Sequence, residues 1–579
     1  MIYRRIHISF LLASAALFIA LSWINLKQSE NSNEIGLSFK TGQAQNELTG
    51  ETLLNELGCN TCHSGLPGNN ELRQKAPDLR HAGLRYRPEY LFDYLLNPQK
   101  VRHHIGASRM PDFYFSSEES LALSLFLETQ KQEPDNYPNF PNYESITNFF
   151  GWTSDVEKGK QLISDMTCLT CHKIDGEGEL LISDLSKVGS KLNEKWVKKY
   201  LTAPYVYGGK ETLMPAFFHK INMDSAVFEE TVENAIDKIN DITAYLMSLN
   251  QGQKNLENRY QKALQENPQI TAEIGGRIFQ SQNCSACHQS SLQWRENTAP
   301  NLSLEGSRVN QEWLKEFLKK PHPIRPFGFF PGSGSRMPNF KLTEEEIEKI
   351  AGYFNTQSIP INNFKPGKLS AFAKAKAKTL IDKKLSCKGC HKLGGSGGVI
   401  GPDLSALKSR LKPNFVYQMI KDPHSLVPDV VMPKIPIPEK TLSLITNYLL
   451  QQEEEPSTAS YPELTQQDLY FHPENDQSIE NTYELNCAPC HGQAGQSDGF
   501  NTPYLKVPAT NHSDAKYMST RPDATLFDGI YGGGDILNKS HEMPPWGNTL
   551  DRKMIIELVS YMRSLCKCED PEWSKDNAN

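Results

Sequence analysis

Apolar side chains are scarce in this sequence. Only 38% of its 579 residues are hydrophobic, and the mean hydropathy is −0.53. A chain of this length is too long for one hydrophobic core and forms several domains. The hydrophobic fraction is low for a chain that must fill several cores. No phosphate-binding loop, dinucleotide fingerprint, hydrolase triad or nucleic-acid module is evident. These absences argue against nucleotide-dependent and hydrolytic chemistry and against nucleic acid as a partner, and they indicate that something besides side chains fills the cores.

One long apolar run stands out, at residues 6–24, directly after two arginines. Its length is close to the roughly 20 residues that span a bilayer and exceeds the roughly 7–15 of a cleavable signal. We therefore expect residues 1–30 to form a signal or transmembrane anchor and residues 31–50 a linker. The positive-inside rule then predicts a single-pass protein of the cytoplasmic membrane whose domains face the periplasm or outside. The alternative is a signal cleaved near the sequence ALS, which changes tethering but not compartment.

Ten of the twelve cysteines fall in five copies of one pattern, C-x-x-C-H. This pattern is the c-type haem attachment motif: the two thiols bind the haem vinyl groups and the histidine reaches the iron. Disulfides, a thioredoxin-like redox site or halves of zinc sites are alternatives, but none explains a histidine after every pair. We therefore predict five covalent haems. Their cysteines are Cys59, Cys62, Cys168, Cys171, Cys284, Cys287, Cys387, Cys390, Cys487 and Cys490, and their proximal ligands are His63, His172, His288, His391 and His491.

A Met-Pro pair follows every motif, and the first and third stand in near-identical stretches, SRMPDF and SRMPNF. A single methionine so placed would more often be core packing. Five of them, each followed by a proline that stiffens the loop, favour iron ligands. The predicted sixth ligands are Met110, Met214, Met337, Met432 and Met543. The competing histidines are His104, His219, His424 and His541, and a bis-histidine site would have a lower potential.

An amphipathic run precedes the motifs, with Gly159 or Gly275 on one face, and a second helix closes each unit. With the motifs, this order resembles class I cytochrome c from residue 51 to about 566. The resemblance implies an all-α fold in which the first and last helices cross at the small residue. It implies five tandem cytochrome c domains after an N-terminal membrane anchor, called units 1 to 5 below: residues 51–131, 153–250, 270–357, 368–452 and 476–568.

The units are related in alternation. Units 1 and 3 share APDL or APNL and the SRMP stretch, while units 2 and 4 share another pattern after their motifs. A duplicated two-haem module is the simplest explanation, and it predicts that units 1 and 2 pack as units 3 and 4 do. Unit 5 differs, since its CHGQAGQSDG resembles single-haem cytochromes and oxidase-linked cytochrome c domains.

A haem iron with a protein ligand on each face has no open position for a substrate, which favours electron transfer over catalysis. The sequence therefore predicts a membrane-tethered pentahaem cytochrome, not an enzyme, that relays single electrons between respiratory-chain partners. A quinol-oxidising complex, a soluble cytochrome and a terminal oxidase are the candidate partners. The alternatives are a multihaem oxidoreductase with one open haem, peroxidase-like or reducing nitrogen oxides, and a haem subunit of a larger complex. The C-x-C spacing of the last two cysteines, Cys566 and Cys568, leaves a strained bridge between them, a link to a partner and free thiols as alternatives.

Overall fold

The computed structural model describes residues 49–575 with internal gaps. The gaps are residues 67–75, 100–108, 134–152, 205, 207–211, 213, 223–226, 231–233, 289, 294–297, 330–333, 386, 406, 429, 453–477, 535–536, 538 and 541.

The predicted location in the membrane needs correction. Among the described residues, no helix is long and apolar enough to cross a bilayer. Arg552–Cys566, at 15 residues, is the longest helix in the described part of the chain. It spans about 22 Å, less than the roughly 30 Å of a hydrocarbon core. The single-pass anchor is therefore not supported, and residues 6–24, from which it was predicted, lie outside the described residues.

The described chain is predominantly helical, which confirms the predicted all-α class. Units 1 and 2 contain α1 Gly50–Glu56, α2 Ala82–Arg85, α3 Pro88–Leu96, α4 Ser117–Thr129, α5 Val156–Asp165, α6 Val188–Lys191, α7 Glu194–Thr202 and α8 Ala235–Ser248. A connecting helix, α9 Gln253–Glu266, leads to unit 3, which contains α10 Ala272–Ser281, α11 Glu305–Arg308, α12 Gln311–Lys319 and α13 Glu344–Thr356.

The last two units continue this pattern. They contain α14 Ala371–Lys383, α15 Cys387–Cys390, α16 Leu407–Arg410, α17 Pro413–Lys421, α18 Glu439–Leu449, α19 Ile479–Asn486, α20 Ala488–His491, α21 Ala515–Met518, α22 Asp523–Gly532, α23 Arg552–Cys566 and α24 Glu572–Lys575. In the part of the chain that the structure describes, the strands form three small two-stranded ladders. They are β1 His172–Lys173 parallel to β2 Ser183–Asp184, β3 His219–Asn222 antiparallel to β4 Val227–Glu230, and β5 Lys392–Leu393 antiparallel to β6 Ser396–Gly397.

In unit 2 the first and last helices cross as the sequence predicts. Gly159 of α5 lies against α8, where an added Cβ would come 2.0 Å from the carbonyl oxygen of Asp241. Only glycine permits so close an approach. Ile163 of α5 and Ile242 of α8 are buried in the same core, which is built from unit 2 residues alone. Unit 2 is therefore self-contained.

Units 1 and 3 exchange their first helices. An added Cβ on Gly275 of α10 would come 1.9 Å from the carbonyl oxygen of Ala122, which belongs to α4 of unit 1. An added Cβ on Gly50 of α1 would come 2.1 Å from the carbonyl oxygen of Lys349, which belongs to α13 of unit 3. Each of the ranges 51–131 and 270–357 is thus divided between two packed bodies.

Four segments describe this exchange. Motif segment 1 is residues 49–66 and methionine segment 1 is residues 76–133; motif segment 3 is residues 272–293 and methionine segment 3 is residues 298–358. Motif segment 3 packs on methionine segment 1, and motif segment 1 packs on methionine segment 3.

The connecting helix α9 explains how the third motif reaches unit 1. Tyr260 and Ala263 of α9 are buried in the core of methionine segment 1, and the ring of Tyr260 lies 5.9 Å from that of Phe92. Arg259 forms an ion pair of 2.6 Å with Asp93. Because α9 runs over methionine segment 1, the helix that follows it is delivered to α4.

The contact between neighbouring units occurs twice, as a duplicated module predicts. Tyr86 pairs with Leu192 in an antiparallel bridge between methionine segment 1 and unit 2. Val309 pairs with Leu411 in the same way between methionine segment 3 and unit 4. The same bridge thus joins each methionine segment to the unit that follows it in the module.

Candidate haem-binding sites

The five motifs fold into tight helical turns. In units 1 to 3 a residue with left-handed backbone precedes the first cysteine, namely Gly58, Thr167 and Asn283. In units 4 and 5 most of the motif lies in a short helix: α15 ends just before His391, and α20 begins just after Cys487. The histidine N–H donates to the carbonyl oxygen of the first cysteine in four of the five motifs, at 2.9 to 3.0 Å. These turns bring both thiols and the histidine of a motif together.

Every motif histidine is held by a backbone carbonyl. The Nδ1 atoms of His63, His172, His288, His391 and His491 lie 2.8, 3.2, 2.9, 2.7 and 2.8 Å from the carbonyl oxygens of Pro300, Ser183, Pro77, Pro402 and Thr510. A carbonyl oxygen can only accept, so Nδ1 carries the proton and Nε2 keeps its lone pair for a metal. Nδ1 of His172 also lies 3.1 Å from the hydroxyl oxygen of Ser183, which can accept as well. Two of these carbonyls belong to the exchanged partner segment: Pro300 for His63 and Pro77 for His288.

Burial favours the neutral, metal-binding form of these histidines. It lowers the pKa of all five, and that of His63 to about 4. The Cβ of an alanine at Gly401 would lie 2.5 Å from Cε1 of His391, so a glycine is needed beside that ring. Each imidazole is therefore fixed in orientation and in tautomer.

The motif cysteines also suit covalent haem. None of the ten is disulfide-bonded. Burial raises the pKa of Cys59, Cys390 and Cys487 to about 12 and that of Cys387 to about 11. Such buried, protonated thiols are poor reactive centres, which argues against a thiol redox site. The residues present fit haem c, whose binding would use both thiols and the histidine of each motif.

Three methionines lie in the same hydrophobic core as a motif cysteine. Met214 and Cys168 both pack against the core of unit 2, and Met543 and Cys487 both pack against the core of unit 5. Met110 packs in the core that contains Cys284, the first cysteine of the third motif. Met110 thus shares a core with the third motif, whereas Cys59 and Cys62 of the motif that precedes it are not among the residues of that core.

The two SRMP stretches lie side by side. Asp112 and Asn339 form an antiparallel bridge, with N–H to O distances of 2.8 and 2.7 Å. Arg109 forms an ion pair with Glu346, and Arg336 forms one with Glu119, so each arginine crosses to the other methionine segment. Met110 and Met337, which follow these arginines, are partly buried, as is Met432 of unit 4.

The competing histidines have different placements. His104 and His541 lie outside the described residues, and the side chain of His219 is not described. His424 stacks on the ring of Tyr504, with centroids 5.2 Å apart, where units 4 and 5 meet.

One further histidine was not singled out in the sequence. The ring of His512 stacks on that of His491 at 4.0 Å, and its Nδ1 lies 2.9 Å from the hydroxyl of Tyr483. Burial, with nearby His491 and Lys539, lowers the pKa of His512 well below its usual value. No motif in the sequence marks this residue.

The five motifs include two close pairs. The Oγ1 atom of Thr61 lies 3.6 Å from Sγ of Cys287, so the first and third motifs touch. An added Cβ on Gly389, in the fourth motif, would lie 2.1 Å from Oδ1 of Asn486, which precedes the fifth motif. Cys390 of the fourth motif also packs against the core of unit 5.

Three arginines meet where methionine segment 3 contacts unit 4. Arg308 forms an ion pair of 2.9 Å with Glu305, whereas Nε of Arg410 is buried without a hydrogen-bond partner in the described structure. Burial, and then the charge of Arg308, lowers the pKa of Arg325 to about 9 and that of Arg410 to about 10. Buried guanidinium groups call for carboxylates, which haem propionates would supply.

The last two cysteines are joined. Cys566 and Cys568 form a disulfide at the end of α23. This resolves the question that their spacing left open, in favour of a bridge between them.

Family comparisons match three parts of the chain. The model described as "Cytochrome c" matches residues 156–250 and 272–358, and the model described as "Cytochrome C oxidase, cbb3-type, subunit III" matches residues 474–562. Searches of curated proteins and of solved structures gave no match. The chain thus contains cytochrome c domains, which imply covalent haem c with iron and haem-based electron transfer. The matched range 272–358 includes both motif segment 3 and methionine segment 3, which pack on different partners.

Proposed function

We propose that this protein is a pentahaem c-type cytochrome that relays single electrons between two redox proteins of a respiratory chain. The observation that supports it is the repeated histidine geometry: in five motifs Nδ1 is bonded to a backbone carbonyl and Nε2 is left for iron. Haem, when bound, supplies the one-electron couple of its iron. A quinol-oxidising complex, a soluble cytochrome and a terminal oxidase are the partner classes that we propose.

The chain's own residues keep the irons closed and dry. The motif histidines are oriented by the carbonyls, and the five Met-Pro loops provide thioethers, which favour the reduced iron and a high potential. Buried apolar side chains around Met110, Met214 and Met543 exclude water from three of these sites. With haem bound, the histidine and the methionine of each site would leave no iron open to a substrate, so the proposal is a carrier without catalytic residues.

The test is a haem count combined with carbon monoxide binding. The purified protein is expected to contain five haems per chain by pyridine haemochrome assay, and its reduced spectrum should not change with carbon monoxide. Met214→Ala is the positive control, because it opens one iron in the self-contained unit 2 and should give a change equal to one haem. A change of that size in the unmodified protein would establish an open haem and replace the carrier by an oxidoreductase.

A further inference from the structure

We propose that the five haem sites lie, and pass electrons, in the order second, third, first, fourth, fifth. In this arrangement Met337 is the sixth ligand of the site formed by His63, and Met110 is the sixth ligand of the site formed by His288. The proposal rests on the proposed function, since it assigns the route within the relay. Its two ends are the second and fifth sites.

The exchange of segments fixes the middle of this order. The proximal histidine bond in unit 4 joins His391 to Pro402, within the same unit. The equivalent bonds of units 1 and 3 run crosswise, from His63 to Pro300 and from His288 to Pro77. The crossing glycines Gly50 and Gly275 contact the same exchanged partners. Histidine bonds and helix crossings therefore agree that each of these two sites is built from both units.

The first and third sites are direct neighbours. Thr61, within the first motif, contacts Cys287 of the third. The pairing of Asp112 with Asn339 brings the two methionine loops together as well. The thioether-bearing edges of the two haems would therefore lie side by side, which gives the central step of the route.

The outer neighbours follow from the methionine segments. Unit 2 contacts methionine segment 1 through Leu192 and Tyr86, so the second site neighbours the one that contains His288. Unit 4 contacts methionine segment 3 through Leu411 and Val309, so the fourth site neighbours the one that contains His63.

The arginine cluster supports the junction between the first and fourth sites. The backbone N–H of Lys412 donates to the carbonyl oxygen of Arg308 at 2.9 Å, and the backbone N–H of Asn310 donates to the carbonyl oxygen of Arg410 at 2.9 Å. Arg308 and Arg410 therefore lie at this junction, and their guanidinium groups match the carboxylates that haem propionates would supply there. The fifth site follows the fourth, because Gly389 lies against Asn486.

Each step along this order transfers one electron between neighbouring sites. With haem bound, the electron would pass from a reduced iron to its oxidised neighbour, and no bond would form or break. An order that followed the sequence would instead place the second site between the first and the third.

Photocrosslinking of the haem-loaded full chain tests the exchange. Phe126 of α4, Tyr353 of α13 and Tyr245 of α8 are replaced, one at a time, by p-benzoylphenylalanine. We expect position 126 to crosslink to Ala272–Ser281 and position 353 to crosslink to Gly50–Glu56, within one chain. Position 245 is the matched control and should crosslink to Val156–Asp165 in either arrangement. Crosslinks from position 126 to Gly50–Glu56 and from position 353 to Ala272–Ser281 would overturn the proposal, as would crosslinks between chains.

Spectroscopy tests the ligand assignment. Met337→His should give one bis-histidine signal in electron paramagnetic resonance. That signal should vanish when Cys59→Ala and Cys62→Ala remove the first haem, and persist when Cys284→Ala and Cys287→Ala remove the third. The opposite result would contradict the assignment, and Met214→His should keep its signal in both backgrounds. If a cysteine variant fails to fold, the crosslinks decide. Haem number and carbon monoxide binding do not depend on the order, so the two proposals can fail separately.

Discussion

The Nδ1 atom of His63 donates a hydrogen bond of 2.8 Å to the carbonyl oxygen of Pro300, a residue 237 positions further along the chain. The bond is matched by that from His288 to Pro77, at 2.9 Å. These two bonds show that the exchanged segments are joined at the motif histidines themselves, as well as through helix packing. The stability of one site should therefore depend on residues of the other unit.

The crossing glycines should not tolerate a side chain. Gly275→Ala would place Cβ 1.9 Å from the carbonyl oxygen of Ala122, a backbone atom that cannot move aside cheaply. We expect the free energy of unfolding to fall by about 1–3 kcal/mol or more, which would appear as a lower thermal unfolding midpoint. Gly352→Ala in α13 is the control, since nothing lies within 4 Å of its Cβ, and it should be neutral or stabilising by up to about 1 kcal/mol. Equal effects of the two substitutions would contradict the packing described.

The ion pair between Arg336 and Glu119 should be costly to break. Their side chains are only 5% and 7% exposed. Arg336→Met leaves the carboxylate of Glu119 buried without its main partner, and we expect a loss of about 3–5 kcal/mol in chemical denaturation. The double variant with Glu119→Gln should recover part of that loss because the stranded charge is gone. A double variant no more stable than Arg336→Met would show that charge burial is not the cause.

The arginine cluster should raise the potentials of the adjacent sites. Arg410→Gln removes a buried positive charge near His391. Because a nearby positive charge disfavours the oxidised iron, its loss should stabilise the oxidised iron relative to the reduced one. Spectroelectrochemical titration should show at least one potential lower by an amount on the order of tens of millivolts. Lys374→Gln, at an exposed position on α14, is the control and should leave the potentials unchanged. Unchanged potentials in Arg410→Gln would show that the arginine cluster does not act on a haem iron.

His81 should make stability depend on pH. Burial alone would lower its pKa, but its bonds to Asp78 and to the carbonyl oxygen of Gln132 raise the pKa above the ordinary 6.5. A raised folded-state pKa contributes stability that is complete below pH 6.5 and is lost as the pH rises through the folded-state value.

The unfolding midpoint of His81→Asn should therefore lie furthest below that of the unmodified protein at acidic pH. The difference should shrink as the pH rises above 6.5. A constant difference would mean that His81 acts only through packing.

Local chemistry could be predicted from the sequence, whereas the pairing of segments could not. The C-x-x-C-H spacing is short, so the chemistry of the motifs is readable without a structure. In contrast, α4 and α13 both begin with a capping box, made by Ser116 with Glu119 and by Thr343 with Glu346. Because the two helices present similar surfaces, nothing local indicates which of them receives α1 and which receives α10.

The connecting helix was missed for a related reason. Residues 253–266 fall between two repeat units, and the repeat comparison gives them no partner. Their role appears only when Tyr260 and Ala263 are seen in the core of methionine segment 1. The stacking of His512 on His491 likewise depends on the folding of a loop that carries no motif.

The crossed bonds of His63 and His288 determine the order in which the sites can fold during synthesis. The first motif is made early, yet its carbonyl partner Pro300 and its paired helix α13 emerge only after the whole of unit 2, α9 and motif segment 3. Unit 2 can fold as soon as it has been synthesised. The first site stays incomplete until the ribosome has passed residue 356, where α13 ends. Growing chains that stop before that point would carry an incomplete first centre, and this interval is when the protein would most need a haem-handling factor or chaperone.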